Sequence, residues 1–159
     1  MKQLRVAIVG AGTWGAAHAS IYNEHPGAMP VAICDVNRSL AERFAREHAI
    51  PEVYIDHREM LARCDCDTVA IVTPDFLHAD IAVDSANAGK HLLIEKPLAT
   101  TRDDVFRTVE AIERAGVRAM VDLHNRWNPP FNAIKQLVST GRYGKAISGH
   151  CRLTDKVWV

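Results

Sequence analysis

The sequence has neither an excess of charge of one sign nor a long hydrophobic run. It holds 19 basic and 19 acidic residues and has no net charge at pH 7. Proteins that bind nucleic acid or an anionic membrane surface present a basic patch, and this composition predicts none. A spanning helix needs roughly 20 apolar residues in a row, which no stretch approaches. We therefore expect no nucleic-acid partner and no membrane partner, and the implied partner is a small molecule.

The sequence also lacks the spacings that identify metal and redox centres. Its four cysteines do not form a zinc or Cys-x-x-Cys pattern, and Cys34 falls within a predicted buried strand. None of the eight histidines forms a His-x-x-x-His pair on a predicted helix. We expect reduced, structural thiols, which favour a cytoplasmic location, and we expect no metal site.

A glycine-rich turn directly follows the first apolar run. The order Gly10-x-Gly12-x-x-Gly15 lies between a predicted strand and a predicted helix. In such a turn the first glycine permits the tight bend, the second lets the backbone approach a pyrophosphate, and the third lets the helix pack close to the strand. Thr13 and Trp14 begin that helix, whose first N–H groups would point at the phosphates. The alternative is an ordinary turn between a strand and a helix.

A second signal, an acidic residue, supports the interpretation of the glycine turn as a dinucleotide-binding motif. Asp35 ends the next apolar run, about 20 residues beyond Gly15, where a carboxylate can bind the ribose 2′-hydroxyl of NAD. The alternative is a surface aspartate. Arg38 follows three residues later, and its guanidinium could approach a 2′-phosphate. The sequence therefore predicts NAD as the cofactor, with NADP as the alternative.

Five apolar runs, each separated from the next by a helical pattern, predict the fold. Continuous rather than alternating apolar strands are typical of a parallel sheet that helices cover on both faces. We expect an α/β fold with a doubly wound parallel sheet, that is, a Rossmann dinucleotide-binding domain over residues 1–124. The predicted strands are 4–9, 30–35, 68–72, 91–94 and 117–121.

Capping residues predict where several helices begin and end. Asn37 and Thr101 are expected to be N-caps, and Gly89 and Gly116 are expected to end helices. Asn128 followed by Pro129 predicts one more helix, in the region after the fifth strand.

The chemically suggestive residues all follow predicted strands. The carboxyl ends of parallel strands meet at one edge of a sheet, so these residues should line one crevice. Any single one of them could be an ordinary polar loop residue, and their joint placement is what indicates a site. They are Gly10, Asp35, Thr73-Pro74, Glu95-Lys96-Pro97 and His124-Asn125-Arg126.

With these motifs the sequence resembles the N-terminal half of Gfo/Idh/MocA oxidoreductases, named after glucose-fructose oxidoreductase, inositol dehydrogenase and a rhizopine-catabolism protein. Glu-Lys-Pro after the fourth strand is the most specific matching element. Asp75 departs from the family, where Asn is more usual, and its carboxylate would add negative charge near the cofactor. The matching elements are the glycine turn, Thr73-Pro74 with His78, Glu95-Lys96-Pro97, residues 125–129 and residues 141–145.

The resemblance implies roles for individual residues. Lys96 would lie between nicotinamide and substrate and hydrogen-bond the hydroxyl that becomes a carbonyl, which makes it the expected catalytic residue. The alternative is a surface lysine beside a turn-forming proline. Glu95 would lie near the nicotinamide ribose, Pro97 would follow a cis peptide, and Arg126 would line the cofactor or substrate region. His78 would orient a loop or cap the following helix.

The resemblance also implies an activity and a longer protein. Residues 125–159 resemble the start of a second α+β domain, with a first strand from about residue 146 onward. We expect an NAD(P)-dependent dehydrogenase that acts on a secondary alcohol of a sugar or cyclitol, with this chain alone inactive. The alternative is a dinucleotide-binding module or sensor without turnover. Apolar residues after Asn128 favour a homo-oligomer.

Overall fold

The computed structural model describes residues 3–152. These residues divide into two units, and the boundary along the chain lies between Asp122 and Leu123. The first unit contains a six-stranded sheet in the order β3-β2-β1-β4-β5-β6, with every neighbouring pair parallel. The expected doubly wound fold is confirmed. The strands are β1 Leu4–Val9, β2 Ala28–Cys34, β3 Glu52–Tyr54, β4 Thr68–Ile71, β5 His91–Glu95 and β6 Ala119–Asp122.

Helices connect these strands. Short 3₁₀ turns precede two of the helices, at Asp75–Leu77 and His124–Arg126. The α-helices are α1 Thr13–Glu24, α2 Arg38–His48, α3 His57–Arg63, α4 His78–Asn87, α5 Arg102–Ala115 and, in the second unit, α6 Pro129–Ser139. None of the helices within residues 3–152 is long and apolar enough to cross a membrane.

Strand order reverses at β1, which pairs with β2 on one side and β4 on the other. In open parallel sheets this reversal opens a crevice at the carboxyl ends of the strands, where ligands bind. Successive β1 residues contribute to separate buried clusters, Ile8 to one and Val9 to the other. The sheet is therefore covered on both faces, as continuous apolar strands require.

The structure corrects the predicted number of strands from five to six. The missed strand, β3, is three residues long and pairs with β2 at the edge of the sheet. Glu52 and Tyr54 give it no apolar run, and three residues are too few to show a periodicity. The other boundaries differ by one or two residues, which is the usual uncertainty of element ends.

The second unit, described by itself, holds the 3₁₀ turn and α6. Asn128 is the N-cap and Pro129 the first helical residue, as predicted, although the Asn128 side chain makes no capping bond. The expected strand is not seen in residues 145–152, where the structure assigns no regular element, and its continuation over residues 153–159 lies outside the described residues.

Candidate cofactor and active site

The glycine turn has the geometry that a pyrophosphate needs. Gly10 has a φ of 114°, and a Cβ on Gly15 would lie 2.2 Å from the Gly10 carbonyl oxygen, so neither position accepts a side chain without strain. A Cβ on Gly12, in contrast, would meet nothing within 4 Å. Gly12 therefore borders open space into which a ligand can approach the backbone.

The amino end of α1 is open to an anion. Gly12 is the N-cap and has no side chain to cap the first turn, which begins with Thr13 and Trp14. The first N–H groups of a helix have no intrahelical acceptor, and the helix dipole favours negative charge beside them. This end of the helix fits a pyrophosphate.

Asp35 lies directly beside this turn. Its Oδ2 accepts a hydrogen bond from the Ala11 amide at 2.9 Å, and its Oδ1 accepts one from the Asn37 amide at 2.9 Å. These bonds fix the carboxylate against the glycine turn and leave lone pairs on each oxygen for a ribose hydroxyl. Asp35 lines a cleft of about 640 Å³ with Gly10, Gly12, Thr73 and Pro74.

The structure places Arg38 in a different groove. Arg38 is exposed, pairs with Glu42 at 3.8 Å, and lies in a shallow groove with Glu52 and Glu59. Arg58, which the sequence did not indicate, lines the Asp35 cleft and forms an ion pair of 2.9 Å with Asp84. A role of Arg38 at a 2′-phosphate stays a prediction.

Lys96 lies in a second cleft of about 220 Å³. Both clefts include Val72 and Thr73, so they adjoin each other at the end of β4. Lys96 is exposed, and within residues 3–152 its ammonium makes no hydrogen bond or ion pair. The peptide between Lys96 and Pro97 is cis, as the resemblance implies. The other residues of this cleft include Trp14, His78, Glu95 and Pro97.

The side chain of His78 forms hydrogen bonds to both of the loops that line this second cleft. Its side chain is 1% exposed, with Nδ1 2.7 Å from the Pro97 carbonyl oxygen and Nε2 3.0 Å from that of Thr73. The ring therefore links the loop after β4 to the loop after β5. This contact supports the predicted loop-orienting role, because both ring nitrogens are occupied by backbone.

Glu95 is buried at the carboxyl end of β5, beneath the cleft. Its Oε2 accepts a hydrogen bond from the Lys96 amide at 3.1 Å, and its Oε1 lies 3.3 Å from Nε2 of His18 on α1. Asp122, at the end of β6, lies 3.8 Å from the same nitrogen. Sequence reasoning missed His18 and Asp122, because neither belongs to a recognisable spacing.

His18, Glu95 and Asp122 also form a group that could hold a metal ion, with one ligand atom from each within 4.8 Å of the others. The histidine spacings of the sequence gave no sign of this group. His18 Nε2 lies at hydrogen-bonding distance from Glu95, 3.3 Å, and its other ring nitrogen is 3.0 Å from the Tyr22 hydroxyl. A hydrogen-bonded network accounts for the arrangement.

Arg126 belongs to the second unit. It lies in the 3₁₀ turn His124–Arg126 and lines a concave surface of about 430 Å³ with Asn125, Phe131, Asn132 and Lys135. Its predicted role at the cofactor or substrate stays a prediction.

A family model described as an oxidoreductase family with an NAD-binding Rossmann fold matches residues 4–123. The chain belongs to this Gfo/Idh/MocA family. The resemblance found in the sequence is thereby confirmed, and so is a nicotinamide dinucleotide as the cofactor of the family fold.

Two curated relatives of this chain are named as dehydrogenases. The scyllo-inositol 2-dehydrogenase (NAD(+)) of Bacillus subtilis is 33% identical over 146 residues, which cover 91% of this chain and 43% of that protein. Levoglucosan dehydrogenase of Pseudarthrobacter phenanthrenivorans is 33% identical over 156 residues, which cover 93% of this chain and 40% of that protein. This chain therefore spans about two fifths of the length of these curated relatives.

A solved structure of the Gfo/Idh/MocA type shows the same architecture. The WlbA dehydrogenase from Bordetella pertussis, solved in complex with NADH and UDP-GlcNAcA, superposes with a TM-score of 0.86 at 31% identity. The match covers 90% of this chain and 44% of that one.

Proposed function

We propose that this chain binds NAD(H) and contributes Lys96 to hydride transfer between the cofactor and a secondary alcohol of a sugar or cyclitol. The observation that carries the proposal is the exposed Lys96 ammonium in a cleft that adjoins the glycine turn and Asp35. The relatives named for scyllo-inositol and levoglucosan support this substrate class.

The residues of the two clefts fit the halves of a dinucleotide. The amino end of α1 and the open space at Gly12 suit the pyrophosphate, and Asp35 suits the ribose diol beside it. When bound, NAD accepts or returns a hydride at its nicotinamide ring. The protein aligns the reacting carbon of the substrate with the nicotinamide ring and keeps the other carbons of the substrate away from it.

Lys96 supplies the charge for this chemistry. An ammonium that donates a hydrogen bond to the substrate oxygen stabilises that oxygen as it changes between hydroxyl and carbonyl. Glu95 shares the end of the same strand, but both of its carboxylate oxygens are engaged, by His18 and by the Lys96 amide. We assign Lys96 the catalytic role and Glu95 a supporting one.

We further propose a preference for NAD(H) over NADP(H). The Asp35 carboxylate would repel a 2′-phosphate, whereas it can accept hydrogen bonds from a 2′-hydroxyl. Arg38, the residue that could compensate this repulsion, lies in a separate groove and pairs with Glu42.

A homo-oligomer in the cytoplasm completes the proposal. The apolar residues of α6 are exposed, with Phe131 at 43% and Ile134 at 57%, so they are available to a second copy of the chain. The four cysteines are free thiols, which suits a reducing compartment. Leu153, Val157 and Trp158 are among the apolar residues after Asn128 from which a homo-oligomer was expected, and they lie outside the described residues.

One experiment tests the function. Calorimetric titrations of this chain with NADH and NADPH are combined with an assay of NAD⁺ reduction over a panel of cyclitols and sugars in a full-length parent protein that contains the second domain, for the wild type and Lys96→Met. We expect NADH to bind more tightly than NADPH, and we expect Lys96→Met to bind NADH normally without turnover, because methionine keeps the bulk and loses the charge.

Three results would contradict the proposal in separate ways. Tighter binding of NADPH would disprove the cofactor preference, and a Lys96→Met variant with near-normal kcat would disprove the role of Lys96. Tight NADH binding by a full-length parent that reduces NAD⁺ with no compound of the panel would favour a dinucleotide-binding module without turnover.

A further inference from the structure

A buried polar cluster joins α1 to the ends of β5 and β6. Glu95 and Asp122 are register partners on these two parallel strands, so their carboxylates lie on the same side of the sheet. Like charges placed directly opposite each other on neighbouring strands repel. A hydrogen-bond donor between the two carboxyl groups would offset this repulsion.

His18 is that donor. It is 7% exposed, and its Nε2 lies 3.3 Å from Glu95 Oε1 and 3.8 Å from Asp122 Oδ2. We assign the hydrogen of the ring to Nε2, because a carboxylate accepts hydrogen bonds and the Tyr22 hydroxyl can donate to Nδ1. The ring therefore donates to Glu95 and places its proton between the two acidic side chains.

Tyr22 fixes the other side of the same ring. Its hydroxyl lies 3.0 Å from His18 Nδ1, one helical turn along α1. Burial, followed by the charges of Asp122 and Glu95, raises the pKa of Tyr22 well above its usual range, so the hydroxyl stays protonated. The imidazole is thus held at both nitrogens and cannot rotate freely.

Glu95, held in place by His18, in turn forms a hydrogen bond to the backbone of Lys96. With Oε1 bound to His18, its Oε2 accepts the backbone N–H of Lys96 at 3.1 Å. Hydrogen bonds therefore run without a gap from Tyr22 through His18 and Glu95 to the backbone of Lys96. Second partners of this kind are what hold reacting groups in place in active sites.

We propose that His18 is a positioning residue, which holds Glu95 and thereby fixes the backbone from which Lys96 enters the cleft. The inference rests on the proposed function only in that Lys96 is the group being positioned. Because α1 also presents its amino end to the pyrophosphate, the same contact sets the distance between the phosphate end of the site and Lys96. We assign His18 no direct contact with cofactor or substrate.

The test compares three His18 variants with a matched control. His18→Leu and His18→Asn lose the bond to Glu95, since the asparagine amide is too short to reach it. His18→Gln places an amide nitrogen near the position of Nε2 and should restore the bond. His91→Leu is the control, because His91 lies at the opposite end of β5 and only accepts a bond from the Arg118 amide.

The first measurement needs neither cofactor nor turnover. Hydrogen exchange of the Lys96 amide, followed by NMR, should become about tenfold faster in His18→Leu or His18→Asn, because Glu95 is free to release it. His18→Gln and His91→Leu should exchange like the wild type. Equal exchange in the wild type and both loss variants would overturn the proposal, as would a His18→Gln variant that exchanges as fast as they do.

The second measurement separates positioning from a general structural role. In enzyme that turns over, His18→Asn should lower kcat by about 10- to 100-fold while the affinity for NADH changes little, because Lys96 is misplaced and the phosphate end of the site is not. An equal loss of NADH affinity would contradict the inference.

Two further outcomes are distinguishable. A full-length wild-type parent without turnover would contradict the proposed function, and the exchange result would then decide the role of His18. About one equivalent of divalent metal retained by the wild type after dialysis and lost in His18→Asn would overturn the inference, since Nε2 would then be a ligand and not a donor.

Discussion

Two glycines of the same turn are needed for different physical reasons. Gly15 has the Gly10 carbonyl oxygen 2.2 Å from the position of a Cβ, whereas Gly12 has nothing within 4 Å of that position. Gly15 is therefore needed for the packing of α1 against β1. Gly12 leaves space for a ligand, although its φ of −80° would suit any residue.

We predict that alanine at Gly15 lowers the stability of the protein, whereas alanine at Gly12 lowers its affinity for NADH. Gly15→Ala should lower the free energy of unfolding by about 1–3 kcal/mol, because the methyl group forces the backbone apart. Gly12→Ala should change stability by less than about 0.5 kcal/mol, yet weaken NADH binding about tenfold or more by filling the space for the pyrophosphate. Urea unfolding and calorimetry measure the two effects. A Gly12→Ala variant with wild-type affinity would contradict the assignment.

At the scale of elements, capping signals were readable because they are local. Asn37 and Thr101 were predicted as N-caps, and their side chains accept bonds from the amides of Leu40 and Asp104. Gly116, predicted to end α5, adopts the left-handed conformation that favours glycine. Each of these signals depends on residues within four positions of one another, so a single sequence carries it.

Elements defined by distant partners could not be predicted in this way. The strand β3 exists because β2 offers it an edge, and its own three residues carry no pattern. Likewise His18 and Glu95 are 77 residues apart, and only the packing of α1 against the sheet brings them together. Lys96, Asp35 and the glycine turn were found from the sequence because motifs of known spacing or family resemblance mark them.

The cap of α5 yields a prediction with a neighbouring control. Thr101→Ala removes the acceptor of the Asp104 amide and should cost about 1 kcal/mol of the free energy of unfolding. Thr100→Ala changes an exposed residue just before the cap and should cost almost nothing. Equal losses in the two variants, measured by urea unfolding, would show that the Thr101 cap contributes no stability.

The same cap makes part of the stability dependent on pH. The Thr101 hydroxyl and the Arg107 guanidinium hold the pKa of Asp104 below its usual value. A carboxyl whose folded pKa is lowered stabilises the protein above its unfolded pKa, and the contribution is lost as pH falls through the folded value. We therefore expect the cost of Thr101→Ala to shrink in acid.

At the scale of the first unit, the fold brings the ends of β1, β2, β4 and β5 together at one edge of the sheet. Asp35, Thr73 and Lys96 follow β2, β4 and β5, and the clefts that they line adjoin each other at the end of β4. The first of these clefts lies where strand order reverses, between β1 and its two neighbours. The parallel sheet therefore determines where binding occurs, whereas loop residues determine what is bound.

The core beneath this edge contains the buried thiol of Cys34, whose ionisation is coupled to the unfolding of the protein. Cys34, at the end of β2, is 3% exposed, and burial, followed by the charges of Asp56, Asp35 and Glu59, raises its pKa from 9.0 to about 12. At a pH between these two values the unfolded chain releases the thiol proton and the folded chain keeps it. The folded state then binds more protons, so its stability falls as pH rises.

We predict that Cys34→Ala removes part of this alkaline loss of stability. Urea unfolding in the presence of a reductant, at about pH 8 and about pH 11, should show a smaller fall in the free energy of unfolding for Cys34→Ala than for the wild type. The variant is less stable at the lower pH because it loses buried volume, so the difference between the two pH values is the informative quantity. Cys151→Ala is the control, since Cys151 is an exposed thiol outside the sheet. A fall in Cys34→Ala as large as in the wild type and the control would show that the Cys34 thiol does not resist ionisation in the folded protein.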